Sequence, residues 1–342
     1  MDADLLIVGG GPAGCAAAVM AASVGMGSVL IESSGALCGA LRRIPVVRNV
    51  LTVTNGPDLA AAIEADLAQC DLCRVELGRR ATLIEAFDDR IEVTVEPVES
   101  AEPVETAEAA GSDRAPGSRL TAPYAVVATG VGPLGPEGAG WLGAAAGRAL
   151  PQLWEARPDT IDDRTVLVLG ADRPLGTVAR AHPELRARFV VAYPPEDAYK
   201  AEEIRRDPRV ELVAVRRLEL GPGSASAPVS ASAPVTAQVE TVGGERRTLT
   251  ADLAFLNLGS APAPPAGAVA TDRSGYCPPG SQHPRVFTAG DLRSVRFQRI
   301  ATAMGSGGEA ALGAYYASRG LPTETGAPPT DVGGAPGPTG GG

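Results

Sequence analysis

Gly9-x-Gly11-x-x-Gly14 is the feature that most restricts what this chain can fold into. An apolar run, Leu5 to Val8, precedes it, and an Ala-rich segment through Ser23 follows. A second apolar run, Ser28 to Ile31, ends at Glu32, 18 residues beyond Gly14. Strand, glycine turn, helix, strand and acid within about 30 residues is the dinucleotide-binding βαβ pattern. Gly9 permits the sharp exit from the strand, Gly11 lets a pyrophosphate approach the backbone, and Gly14 lets the helix pack close to the sheet. Pro12 and Ala13 begin a helix whose first N–H groups and partial positive charge suit phosphate. Glu32 is placed to accept from the adenosine ribose hydroxyls.

The remaining chain reads as more of the same class. The spacing predicts a helix over 57–69, strands at Arg74 to Leu77 and Ala81 to Val95 (turning at Asp88-Asp89), and a buried strand Ala125 to Ala128. A second unit follows, with strands at Thr165 to Leu169, Phe189 to Ala192, Val210 to Val215 and Leu253 to Leu258. Val286 to Ala289 and a helix from Gln298 to Ser318 close the fold. Residues 96–118 and 221–237 are rich in Pro, Ala and Ser and are expected to be loops. The chain from Pro322 is expected to be disordered, since such stretches bury too little apolar area to offset their ordering entropy.

Composition removes several function classes. The net charge of −10 disfavours nucleic acid and anionic membranes. No apolar run reaches the roughly 18 residues of a membrane span, and no basic segment precedes Leu5, so neither an anchor nor a signal peptide is expected. Five scattered cysteines (Cys15, Cys38, Cys70, Cys73, Cys277) do not form a secreted disulfide framework. A cytoplasmic location is the expectation. Cys70-x-x-Cys73 has redox or metal-pair spacing, yet it lies at the N-terminal end of its strand, opposite the edge where dinucleotides bind. It has no second ligand pair nearby, so no metal site is expected. His182 and His283 are read as structural or exposed.

Five segments resemble the low-molecular-weight thioredoxin reductases, two-domain FAD flavoproteins of the pyridine-nucleotide disulfide oxidoreductase class. Gly9 to Gly14 resembles their FAD phosphate loop. Cys38-Gly39-Ala40-Leu41 stands where they carry Gly-Gly-Gln-Leu against the flavin. Val47-Arg48-Asn49-Val50, followed by Gly56-Pro57-Asp58-Leu59, resembles a stretch whose Asn lies near the cofactor. Ala128-Thr129-Gly130 matches a strand end. Thr288-Ala289-Gly290-Asp291, with Gly305-Ser306-Gly307 beyond, matches the closing FAD motif.

The resemblance covers nearly all of residues 4–320. It implies an α/β fold of two Rossmann-like, three-layer domains, the second inserted in the first: residues 1–148 and 260–321 for FAD, 149–259 for the insertion, and 322–342 as a tail. It implies a homodimer. By the same resemblance, Asp291 meets a ribityl hydroxyl, while Gln298, Arg299 and Ile300 begin a helix aimed at the flavin pyrimidine edge, where negative charge grows on reduction. Gln298-Arg299 inverts the usual Arg-Gln order.

Two departures remove chemistry. The stretch Gln152-Leu153-Trp154-Glu155-Ala156 stands where thioredoxin reductases have Cys-x-x-Cys and holds no cysteine. The second loop, Gly170-Ala171-Asp172-Arg173-Pro174-Leu175-Gly176, puts a carboxylate at the close-approach glycine, and Pro174 removes a donor. Ala192-Tyr193-Pro194-Pro195 offers no arginine for a 2′-phosphate. NAD(P)H binding is therefore not expected there. The expectation is an FAD-dependent oxidoreductase whose donor is a reduced ferredoxin, another flavoprotein, a small thiol or NAD(P)H. The alternative is a catalytically retired FAD module serving as a redox sensor or as one partner in a larger assembly. Cys38, a thiol in the loop expected to line the flavin, is the one catalytic candidate, with core filler as its other reading.

Overall fold

The computed structural model describes residues 1–98, 117–143, 150–221 and 234–322. The expected loop interiors at 99–116 and 222–233, the boundary at 148/149 and the tail from 323 lie outside the described residues.

Strand β1 (Leu5–Val8) runs into helix α1 (Pro12–Ser23), then β2 (Ser28–Ile31), α2 (Gly56–Ala68) and β3 (Cys73–Glu76). Asn55 starts α2 by accepting the Asp58 N–H at 2.8 Å, a side-chain cap on an otherwise orphaned donor. β4 (Arg79–Ala86), β5 (Ile91–Pro97) and β6 (Ser118–Ala122) form an antiparallel meander before β7 (Tyr124–Val127) and β8 (Val131–Pro133). The second unit contains α3 (Pro158–Ile161), β9 (Thr165–Leu169), α4 (Pro174–Ala181), β10 (Arg188–Tyr193), α5 (Ala198–Ala201), β11 (Val210–Leu220), β12 (Val235–Thr241), β13 (Arg246–Ala251) and β14 (Leu253–Leu256). The chain returns through β15 (Ser260–Pro262), β16 (Ala266–Gly267) and β17 (Val286–Thr288) to helix α6 (Ile300–Ser318).

The first sheet has the order β17-β7-β1-β2-β3, all parallel. β17 comes from the far end of the chain, so the second unit is an insertion between β7 and β17. Antiparallel β8 and β15 carry the chain out and back. Successive residues of β1 serve opposite faces, as the period of two requires. Leu5 and Ile7 pack under α1, α2 and α6, whereas Leu6 and Val8 pack on the meander through Ile84, Val93 and Leu120. That makes three layers and explains why the strands read as continuous apolar runs. The second sheet, β13-β12-β11-β10-β9-β14, is parallel over β11-β10-β9-β14 and antiparallel beyond.

Small residues let the helices approach. Ala17, Ala18 and Ala21 of α1 and Ala311 and Ala314 of α6 are fully buried. A Cβ on Gly307 would lie 2.0 Å from the Ala13 carbonyl oxygen, so only glycine permits this crossing. A core of this kind needs few aromatics, and the chain has 4%.

Candidate functional site

The first glycine loop leaves the C-terminal edge of the first sheet between β1 and α1. Gly9 has φ +106°, and a Cβ there would sit 2.5 Å from the Ala128 carbonyl oxygen. Gly14 is tighter still, with its Cβ position 1.8 Å from the Gly9 carbonyl oxygen. Gly11 differs in kind: a Cβ there meets nothing within 4 Å. Protein packing therefore demands glycine at 9 and 14 but not at 11, where only an approaching ligand would. Gly11 N-caps α1 with no side-chain bond, and Pro12 opens the helix, which leaves the first-turn donors without a side-chain partner. Glu32 reaches the loop, its Oε2 accepting the Gly10 N–H at 2.6 Å and its Oε1 accepting Ser34 N–H and Oγ–H at 2.7 and 2.8 Å. The acid thus braces the loop at the position expected for a ribose contact.

The closing loop leaves the same edge. β17 and β1 are parallel and separated only by β7, so their ends lie roughly 10 Å apart at the usual strand spacing. The Gly290 N–H donates to Ser306 Oγ at 2.8 Å, tying the turn to α6. Asp291 is half-buried, and among the described residues its carboxylate makes no hydrogen bond or ion pair. Burial raises its pKa above the ordinary carboxylate value, and the charges of Arg173 and Arg299 offset this only in part. Between the two loops, Thr129 Oγ1 is buried without a partner. The Gln298 side chain turns back onto the Ser294 carbonyl at 3.0 Å, while its own backbone carbonyl accepts Arg299 Nη1 at 2.9 Å and Arg173 Nη1 at 2.7 Å. α6 starts at Ile300, two residues later than expected, because the Arg299 N–H donates to Thr302 Oγ1 as a cap.

Other expected residues are placed differently. Leu41 is 2% exposed and belongs to the core under α1. Asn49 is exposed on a bend. Gly130 takes φ +67° at the β7 end, beside Ala128, which is 5% exposed. Cys38 sits in the left-handed region at φ +56°, yet it is 1% exposed and packs in the same core cluster as Cys15, whose thiol donates to the Gly10 carbonyl at 3.4 Å. The two thiols act on each other, lowering the Cys38 pKa and raising that of Cys15, which burial raises further. The thiol therefore faces α1, the filler reading, rather than the open side of the loop. Cys70 and Cys73 lie at the N-terminal end of β3, on the opposite edge from both glycine loops. His182 lies beside Glu184 at 3.2 Å, and His283 Nδ1 accepts the Arg285 N–H at 3.3 Å.

These placements predict a thiol titration. Cys70 and Cys73 are half-buried, whereas Cys15, Cys38 and Cys277 are buried, and burial pushes Cys277 up to about 11. A thiol reagent should label Cys70 and Cys73 first in the native protein and reach all five only in denaturant, as read by mass mapping. Prompt native labelling of Cys38 would restore it as a reactive candidate.

The second glycine loop repeats the first in backbone but not in charge. Gly170, at φ +104°, has its Cβ position 2.2 Å from the Asn257 carbonyl oxygen, just as Gly9 abuts Ala128. Asp172 lies where Gly11 lies in the first loop and faces Lys200 at 4.0 Å, and Lys200 pairs with Asp197 at 3.0 Å. Burial alone would lower the Lys200 pKa, but the Asp197 hydrogen bond and the two acidic charges raise it instead. The Asp172 charge is thus met within its own unit, whereas Arg173 of the same loop reaches the Gln298 carbonyl. Neither Lys200 nor the reach of Arg173 is legible from local sequence. Residues 153–155, in the stretch without cysteine, form a single turn, and Arg43 lies over the Trp154 ring at 4.2 Å.

No family model matches the chain. It is 27% identical over 333 residues to the F component of alkyl hydroperoxide reductase from Xanthomonas campestris pv. phaseoli, covering 91% of this chain and 56% of that protein. The chain thus spans about half the length of that relative. It superposes on Lactococcus lactis thioredoxin reductase (FR conformation) with TM-score 0.70 and 18% identity, covering 93% of this chain and 100% of the other. With the Bacillus cereus bacillithiol disulfide reductase Bdr (YpdA) the TM-score is 0.62 at 18% identity, again covering 93% and 100%. The chain therefore shares the fold of these two reductases.

Proposed function

We propose that the chain is an FAD-dependent oxidoreductase that takes its electrons from a donor other than NAD(P)H. One observation carries this reading. Two loops at the ends of strands flanking β7 present, between them, an open approach at Gly11, an unpartnered Asp291 carboxylate and a buried unpartnered Thr129 hydroxyl. An elongated ligand with a pyrophosphate at one end and hydroxyls further along suits that set. Gly9 to Gly14 would hold the phosphates, Glu32 the ribose, and Asp291 the ribityl chain. The bound flavin would supply two-electron transfer at its N5 atom. The N-terminus of α6, with Arg299 and Arg173 beside it, would offer positive charge to a reduced ring bound there.

The donor and acceptor follow from what the second unit lacks. Asp172, Lys200 and Asp197 satisfy one another in the loop where a second pyrophosphate would lie. Residues 152–156 supply no thiol. A reduced ferredoxin, another flavoprotein or a small thiol therefore fits better than NAD(P)H. A disulfide is the acceptor class suggested by the names of the structural neighbours. A cytoplasmic homodimer is part of the same proposal. Among the described residues, no helix is long and apolar enough to cross a membrane. The missing thiols also support a second reading, an FAD-binding module without turnover.

The test is optical. The purified protein should be yellow, or become so with added FAD. Anaerobic mixing with NADPH, NADH, reduced ferredoxin and dithiols should bleach it with at least one donor and not with NADPH. Bleaching by none favours the module, and a protein that refuses FAD defeats both readings.

A further inference from the structure

We infer that the inserted unit is a latched cap on the first unit's ligand site, held by two arginines at the two stretches where nicotinamide and disulfide chemistry would otherwise reside. This rests on the FAD reading above. The first latch is Arg173, on the second glycine loop, whose Nη1 donates at 2.7 Å to the carbonyl of Gln298, 125 residues away. Gln298 precedes α6 in the closing loop, and the same guanidinium acts through space on Asp291. The second latch is Arg43, in the turn Leu41–Arg43 of the first unit. Its guanidinium stacks on Trp154 at 4.2 Å from the ring centroid. Trp154 sits in a turn anchored to the second sheet by the Gln152–Leu256 bridge.

The two contacts fit one purpose. A loop that is to receive a dinucleotide must keep its helix N-terminus and nearby cations free. Here Lys200 is spent on Asp197 and Asp172, and Arg173 points out of its own unit. A unit that is to present a redox disulfide must leave it accessible, whereas here a tryptophan occupies that stretch and packs against the other unit. Each latch sits at a different place on the boundary, so together they resist rotation about either one. The cap would act on the bound ligand by closing its exit and by bringing the Arg173 charge to the Asp291 corner.

The experiment follows the release of FAD from the loaded full-length protein by its fluorescence. Arg173→Gln should release FAD about tenfold faster, Trp154→Leu about threefold faster, and the double variant about thirtyfold faster, since the sites are separate. Arg173→Lys should recover part of the effect, which a purely steric role would not. Raising salt to about 1 M should speed release from the wild type and leave Arg173→Gln nearly unchanged. Release rates equal to wild type in all variants would overturn the cap and leave the FAD reading standing. If the wild type takes up no FAD, that reading falls, and small-angle scattering of the ligand-free protein decides the cap. An unchanged radius of gyration in the double variant overturns it, and an increase supports it.

Discussion

Gly11→Val should fold as the wild type does and lose FAD, whereas Gly14→Ala should strongly destabilise the fold. The contrast follows from what each added side chain meets. At Gly14 the first added carbon would lie 1.8 Å from the Gly9 carbonyl oxygen. That oxygen is backbone, at the exit of a fully buried strand, and has no rotamer by which to move aside. Overpacking of this kind costs about 3 kcal/mol or more, visible as a lower midpoint in urea with or without flavin. At Gly11 nothing lies within 4 Å, and φ −74° with ψ 179° is extended backbone that valine adopts readily. Its stability should stay within about 0.5 kcal/mol of wild type. The valine methyls would instead occupy the approach of a pyrophosphate, and FAD affinity should fall about 100-fold, roughly 2.7 kcal/mol. Equal FAD affinity in Gly11→Val and wild type, measured by flavin fluorescence, would remove the phosphate-loop role.

The contrast also shows where local sequence is sufficient. The glycine loop is a short-range device: strand, turn and helix follow within 20 residues, and each glycine answers a contact inside or beside that segment. The closing loop is equally local, since Gly290 binds Ser306 only 16 residues on. Both are legible, and parallel pairing through β7 brings them to one edge. What fails to show is long-range or two-sided. The β12–β13 hairpin is missed because Thr, Gln, Glu and Arg alternate with its apolar residues, and its first strand emerges from a Pro/Ser/Ala stretch. Cys38 can be placed in its loop but not oriented. It is buried in the core cluster that holds Cys15, a placement set by helix packing rather than by neighbours in sequence. Leu41 is legible from its motif, but its burial in the core under α1 is not. Arg173 and Lys200 acquire partners only once two units, or two crossovers, have come together.

Asp291→Asn should make the ligand-free protein more stable at neutral pH and bind FAD less well. Burial raises the Asp291 pKa, and the opposing charges of Arg173 and Arg299 do not restore it. A carboxyl whose folded pKa exceeds its unfolded one binds its proton more tightly when folded. Its favourable contribution is complete below the unfolded pKa and is lost as pH rises through the folded value. At pH 7 the charged Asp291 is therefore a net cost to the empty protein, and the neutral amide removes it. The unfolding temperature at pH 7 should rise by about 0.5 °C, the shift that a few tenths of a kcal/mol produce in a chain of this size. The gain should shrink as pH falls toward the carboxylate range, where the wild-type residue is protonated too. With FAD present the order should reverse. An ionised acceptor for a ligand hydroxyl contributes about 1 kcal/mol more than the neutral amide oxygen that replaces it, so affinity should fall about fivefold. Thermal scans of both forms between about pH 5 and pH 8, each with and without FAD, test both signs at once. A variant that loses stability at pH 7 while holding FAD unchanged would make Asp291 a structural group, and the unpartnered carboxylate would cease to mark the ligand's path.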